Sequence, residues 1–303
     1  MNRNQRIRQS EFTKFQRCPR SWYFTYNRNL VELEKTGQRR EPSTNGSDVG
    51  SAAHAGLEVL HTGGSLTEAL SAVTAYCETT RAIRLVGPLP ELSKVDDPLW
   101  YKADQLARTM VEGYQEWLED TGFDAGFKTL AVEHAWEAEI PGTQGAVAYG
   151  KIDLVGHDAV RGGTVVDDNK SVKTFETVHP INFQLLTYAW GWWRSTGDLP
   201  VGAGHRQLRR VGRGGNSKPP FYDYVPIHLD EETLLKHEQI LSVRALDILE
   251  ARGHTAVSPR LYSNPNRDCS WDCDFKSICP MVDQGDDFES VLELNFTVKS
   301  DNE

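Results

Sequence analysis

The chain has 303 residues and a formal net charge of −10, with 33 Lys+Arg against 43 Asp+Glu. That length can bury a substantial core as one large domain or two interleaved lobes. With 39% hydrophobic and 10% aromatic residues, wholesale disorder is excluded. No apolar run approaches the roughly 20 residues of a membrane span, and the polar, basic opening Met1 to Gln9 is not a secretory segment.

In chain order, Ser10 to Tyr26 reads as helical and aromatic, with Cys18 on it or at its end. Residues 38–48 form a polar linker. Helices follow near 50–61, 65–80 and 99–119. The second is opened by Ser65 and Glu68 at capping-box spacing, and Leu66, Leu70, Val73 and Cys77 repeat along one face, which makes Cys77 a buried structural thiol. The third carries Leu106, Met110, Tyr114 and Trp117 on one side. Residues 129–140 alternate as a strand, and Pro141-Gly142 turns the chain. Strands near 146–156 and 164–170 meet at the turn Arg161-Gly-Gly163. A helix near 180–194, which Pro180 can open, precedes strands near 201–211 and 221–229 and a long helix over 231–252. Helices, then a mixed sheet, then helices define an α/β fold.

The most informative stretch is Thr164-Val-Val-Asp-Asp-Asn-Lys170. Alternate side chains of a strand share a face, so Asp168 and Lys170 stand together while Asp167 points the other way. Asp153, in Gly150-Lys-Ile-Asp, supplies a second carboxylate one hairpin upstream. Two acids can hold a hard divalent cation, while the lysine orients a water or offsets phosphate charge. That chemistry suits hydrolysis of a phosphodiester. Alone, Asp-x-Lys is a weak signal, and an exposed charged strand end is its ordinary meaning. Gln184 and Tyr188, at i and i+4, share a helical face just downstream.

The cysteines give an independent signal. Three crowd into Cys269-Ser-Trp-Asp-Cys273-Asp-Phe-Lys-Ser-Ile-Cys279, and Cys18 stands far upstream in Arg17-Cys-Pro-Arg. Such spacing reads as metal ligation before disulfides, and a reducing cytoplasm is the expected compartment. Four thiolates also suit a structural zinc, although zinc ligands more often come as two close pairs.

Taken together, Asp153, Asp168-x-Lys170 and Gln184-x-x-x-Tyr188 resemble the site motifs of the PD-(D/E)XK nuclease superfamily, in particular its RecB-like exonuclease branch. Gly50-Ser-Ala-Ala-His54 is similar to that branch's Gly-x-x-x-His motif. The resemblance spans roughly residues 10 to 280. It implies a nuclease core with a mixed central sheet flanked by helices, a helical N-terminal lobe and a metal-dependent DNA exonuclease activity. It further implies that Asp153, Asp168 and His54 bind Mg²⁺ or Mn²⁺, an imidazole favouring manganese, and that Gln184 and Tyr188 orient Lys170 or the DNA. Glu133 lies where the family often has a strand glutamate, and a surface-facing acid is an equal reading. One cysteine ahead of the core and three behind resembles the iron–sulfur members, CRISPR-associated exonucleases among them. This implies a [4Fe–4S] cluster on Cys18, Cys269, Cys273 and Cys279, with three residues instead of the usual two between Cys269 and Cys273.

On these readings residues 1–125 form a helical lobe, 126–256 the nuclease core and 257–303 the cysteine region and acidic tail. DNA, single-stranded or with free ends, is the implied partner, together with a helicase or recombination protein and no membrane. Charge distribution bears on this more than the total. Residues 1–40 hold ten Lys/Arg against three acids, and the Gly-rich stretch His205 to Lys218 has no acid. Arg209, Arg210, Arg213 and Lys218 are therefore candidate phosphate contacts, with a solvated loop as the alternative. A nuclease that trims DNA beside an integrase, and a docking module with a dead site, are the rival classes; the intact acid and lysine set speaks against the second.

Overall fold

The structure, a computed structural model, describes residues 5–32, 46–84, 91–270 and 272–298. Residues 38–45 of the polar linker, Trp271, and the outermost residues of the basic opening and of the acidic tail lie outside that range. The elements run β1 (Arg6–Arg8), α1 (Gln9–Arg17), α2 (Pro19–Trp22), β2 (Leu30–Glu32), α3 (Ser47–His61), α4 (Leu66–Arg84) and α5 (Pro98–Thr121). There follow β3 (Phe127–Glu139), β4 (Val147–Asp158), β5 (Gly163–Val172), α6 (Phe183–Thr196), β6 (Gly202–Arg209) and β7 (Tyr222–His228). Last come α7 (Glu231–Ala251), α8 (Ile278–Gln284), α9 (Phe288–Asn295) and β8 (Phe296–Val298). No described helix is long and apolar enough to cross a membrane.

Two compact units divide the chain. One comprises Arg39–Trp136 and Lys151–Leu234; the other comprises Met1–Gln38, Glu137–Gly150 and Leu235–Glu303. The division differs from the three consecutive segments read from sequence, because both ends of the chain share a unit.

The first unit holds a mixed sheet. β4 and β5 form an antiparallel hairpin whose turn is fixed by Asp158, its side chain accepting from the N–H groups of Val160 and Arg161 at 2.8 and 3.2 Å. β5 and β6 are parallel through the α6 crossover, β6 and β7 antiparallel, and β3 pairs with β4. Helix α6 starts later than Pro180 suggested: Asn182 caps it, its side chain accepting from the Leu185 N–H at 3.0 Å. On the helical side α3, α4 and α5 bury Val49, Leu57, Val73, Cys77, Trp100, Met110 and Tyr114. Ser65 and Glu68 exchange the capping-box hydrogen bonds that start α4.

In the second unit β1 lies parallel to the first residues of β4 and β2 antiparallel to β8. Phe24, Phe275, Ile278, Leu292 and Phe296 form its apolar centre, with Phe275 stacked on Phe296 at 4.9 Å. The single N-terminal helix read from sequence is broken at Cys18. Proline disfavours helical backbone in the residue before it, and Cys18, followed by Pro19, is extended (φ −163°, ψ 107°).

Candidate active site and cysteine cavity

Strand alternation sorts the charges of β5. Asp167 turns inward to Arg206, whose Nε donates to it at 2.7 Å. Arg206 also bonds Asp124 at 2.7 and 3.0 Å and the Tyr114 hydroxyl at 2.8 Å, so the guanidinium is sealed among its partners. On the other face Asp168 meets Lys170, Nζ to Oδ2 2.7 Å. Gln184 ties the group together: its Oε1 accepts from Lys170 at 3.1 Å, and its Nε2 donates to Asp168 at 3.3 Å and to the Tyr188 hydroxyl at 3.0 Å. The helical spacing of Gln184 and Tyr188 thus becomes a direct contact.

Asp153 on β4 accepts from the Asn169 N–H at 2.8 Å and lies 3.6 Å from Nδ1 of His54 on α3. A Cβ on Gly50 would come within 3.3 Å of Ser171, so the glycine allows α3 to approach β5 closely. Glu133 completes the set. It is a non-glycine residue at φ +49° inside β3, a strained backbone that breaks the strand's alternation and re-aims its carboxylate. Among the described residues one group of His, Cys, Asp or Glu side chains has ligand atoms that all lie within 4.8 Å of one another: His54, Glu133 and Asp153. Two carboxylates and an imidazole suit a divalent ion such as manganese or magnesium. The electrostatics agree. Burial first, and then the neighbouring Asp168 carboxylate, push Asp153 up to about 6, against His54 and the Asn169 N–H, which lower it. Lys151 pairs with Glu133 at the rim.

Glu133 is resolved by its backbone; His205 has no sequence signal at all. Parallel pairing sets His205 of β6 opposite Asp168 of β5, with Nε2 3.5 Å from Oδ2. The residue is 9% exposed, and among the described residues its Nε2 has no hydrogen-bond partner. Burial lowers its pKa, so the imidazole is neutral near pH 7.

The basic loop divides. Arg210 donates to the Ser171 carbonyl at 2.6 Å and lines a groove of about 730 Å³ that also contains His54, Glu133, Asp153 and Lys170. Arg209 bonds the carbonyls of Lys218 and Pro220, Arg213 pairs with Glu116 at 2.5 Å, and the Lys218 side chain is exposed; none of these three lines the groove.

In the second unit Cys18, Cys269, Cys273 and Cys279 line a single cavity of about 410 Å³, all as free thiols. Cys77 is in the helical core of the first unit, 1% exposed. The sulfur of Cys18 accepts from the Ser21 N–H at 3.5 Å and that of Cys269 from the Asn266 N–H at 3.4 Å. Burial, followed by the charges of Cys18 and Cys273, pushes the Cys279 thiol up to about 11. No three of the four sulfurs close to the 4.8 Å spacing of the acidic site. Four thiols lining one cavity are a donor set that fits an iron–sulfur cluster and also a single tetrahedral ion. Arg20 braces the cavity wall, donating to the carbonyls of Leu261 and Cys279 and to Asp283 at 2.6 Å.

Residues 6–280 match the family model of the PD-(D/E)XK nuclease superfamily, and the chain belongs to that superfamily. It is accordingly a nuclease of mixed α/β architecture. Among solved structures it is similar to a candidate exonuclease from Eubacterium rectale, at 12% identity over 82% of each chain with a TM-score of 0.47. No curated protein matches it.

Proposed function

We propose that the protein is a metal-dependent DNA exonuclease acting on single strands or free DNA ends. The observation that carries this reading is the convergence of His54, Glu133 and Asp153 beside the Asp168–Lys170–Gln184 group. His54, Glu133 and Asp153 would hold Mg²⁺ or Mn²⁺, with Asp168 at the edge of the same site. The ion would polarise the phosphoryl oxygens and offset their charge. The chain supplies the rest. Lys170, fixed by Asp168 and Gln184, orients the attacking water and stabilises the charge that develops on the phosphoryl oxygens. Gln184 holds the lysine and is itself held by Tyr188. Water adds to phosphorus, the bond to the leaving sugar oxygen breaks, and the products are a phosphate-ended and a hydroxyl-ended strand.

Cys18, Cys269, Cys273 and Cys279 would carry a [4Fe–4S] cluster of structural role, with the Ser21 and Asn266 N–H groups as hydrogen bonds to its sulfur ligands. A cluster there joins residues about 250 apart, and a long loop is costly to close by chain entropy alone.

The test is cleavage of end-labelled single- and double-stranded DNA, linear and circular, with Mg²⁺, Mn²⁺ or EDTA. Linear strands should shorten from an end with either metal, while EDTA and Asp153→Asn abolish the reaction. Cleavage that survives both would overturn the metal site, and equal attack on circles would overturn the exonuclease mode.

A further inference from the structure

The groove beside the metal ligands extends to a ring and a guanidinium that the hydrolytic chemistry does not use. Tyr76 of α4 lines it, half-buried, packing by one part against the helical core. No hydrogen bond to its hydroxyl is found among the described residues. A buried tyrosine normally gives its hydroxyl a partner; this one is half-buried and lines the groove. In the same groove Arg210 is held by the Ser171 carbonyl at 2.6 Å. It makes no ion pair among the described residues, although three carboxylates, Glu58, Glu133 and Asp153, line the same groove. With one N–H on a backbone carbonyl, the guanidinium keeps further donors that a backbone phosphate in the groove can accept from. The start of α3, through Gly46, Ser47 and Gly50, adds the positive end of a helix to the same wall. The volume, about 730 Å³, falls within the roughly 300–1,000 Å³ of ligand sites.

We propose that Tyr76 and Arg210 form a strand-holding subsite of the nuclease, Tyr76 stacking on an unpaired base and Arg210 binding an adjoining backbone phosphate. The proposal rests on the nuclease reading and specifies its substrate as an unpaired strand, because a base must leave its duplex stack to lie on a protein ring. Stacking is tolerant of sequence, since every base has a π face, so the subsite gives grip without base choice.

Competition kinetics test it. The rate on a labelled oligothymidylate with Mn²⁺ is measured against two unlabelled competitors of equal length, oligothymidylate and a base-free deoxyribose-phosphate strand. In the wild type the base-bearing competitor should inhibit at about a tenfold lower concentration, within the roughly 5- to 150-fold expected of one stacked base. Tyr76→Leu should collapse that preference to within about twofold, and Tyr76→Phe should keep it. Arg210→Gln should weaken both competitors alike and lower the salt slope by about one phosphate contact, whereas Arg210→Lys keeps most of the slope. A Tyr76→Leu protein that retains the full base preference, or an Arg210→Gln protein with unchanged inhibition by both strands, overturns the subsite. If the wild type cleaves nothing, the nuclease reading fails instead, and fluorescence anisotropy with the same two strands and variants still decides on Tyr76 and Arg210.

Discussion

At the scale of single residues, the chemistry turns on Asp153. Its pKa stands near 6 in the folded protein instead of the ordinary 3.8. A divalent ion needs the deprotonated carboxylate, so protons compete with metal below pH 6. Mn²⁺ affinity, followed by calorimetry, should rise with pH through about 6 as Asp153 loses its proton. Glu133→Gln should lower that affinity by about 10- to 100-fold without shifting the inflection greatly, since Glu133 is the last of the causes acting on Asp153. An unchanged affinity would remove Glu133 from the ligand set. His205 is a different case. It touches Asp168, not the trio, and the loss of such a supporting contact typically costs 10- to 100-fold in activity or metal affinity. His205→Ala should therefore lower kcat by at least tenfold while leaving the thermal midpoint within a few degrees; full kcat would make the imidazole a packing group only.

At the scale of elements, β5 carries two adjacent aspartates with opposite duties. Asp167 is 1% exposed and pairs with a fully enclosed Arg206, and breaking such a pair from one side costs about 3–5 kcal/mol. Asp167→Asn should lower the urea midpoint accordingly. Asp168→Asn, one residue on, removes a carboxylate that repels Asp153 together with its ion pair to the partly exposed Lys170, so the urea midpoint should fall less than in Asp167→Asn while cleavage is lost. If Asp168→Asn unfolds the protein as readily as Asp167→Asn, the division of duties is wrong. This much of the strand was legible in the sequence, because alternation alone separates residues 167 and 168. The hairpin to Asp153 and the pairing of Gln184 with Tyr188 were legible for the same reason: each is short-range periodicity. Glu133 was half-seen, since period-two reading has no means of finding a left-handed residue inside β3. His205 was invisible, because its approach to Asp168 comes from strand pairing across the α6 crossover. Of the basic loop, charge could be read but direction could not, and Arg209 and Arg213 spend theirs on Lys218, Pro220 and Glu116.

At the scale of the whole molecule, two sensitivities follow. The cysteine unit should be coloured and iron-dependent: protein purified without oxygen should be brown, with about four irons per chain. Cys18→Ser should lose iron and solubility as Cys273→Ser does, despite their separation. Colourless protein with one zinc per chain would decide for a simple structural ion. The second sensitivity is to acid. Burial holds His61 and His237 near 3, below the ordinary 6.5. Both bind protons more readily when unfolded, so the stability they contribute is full above pH 6.5 and is lost as pH falls toward 3. Asp153 acts oppositely, its contribution growing as pH falls through 6 toward 3.8. Two histidines with shifts of more than three units outweigh one aspartate with about two, so metal-free protein should lose several kcal/mol between pH 7 and pH 4. His237→Gln should flatten the pH dependence of the urea midpoint; an unaltered slope would show that His237 does not titrate on unfolding.

The segmental make-up of the two units also sets an order in time. Apart from the short span Glu137–Gly150, residues 39–234 form one unit from nearly continuous chain. On the ribosome that unit can condense as soon as β7 emerges. The other unit has Cys18 from the start and must wait for Cys269 to Cys279. At roughly 5–20 residues per second, the wait is on the order of ten seconds or more. Throughout it the Cys18 thiol and the apolar face around Phe24 remain without their late partners, so this newborn segment is a natural client for chaperones and a vulnerable target for oxidants.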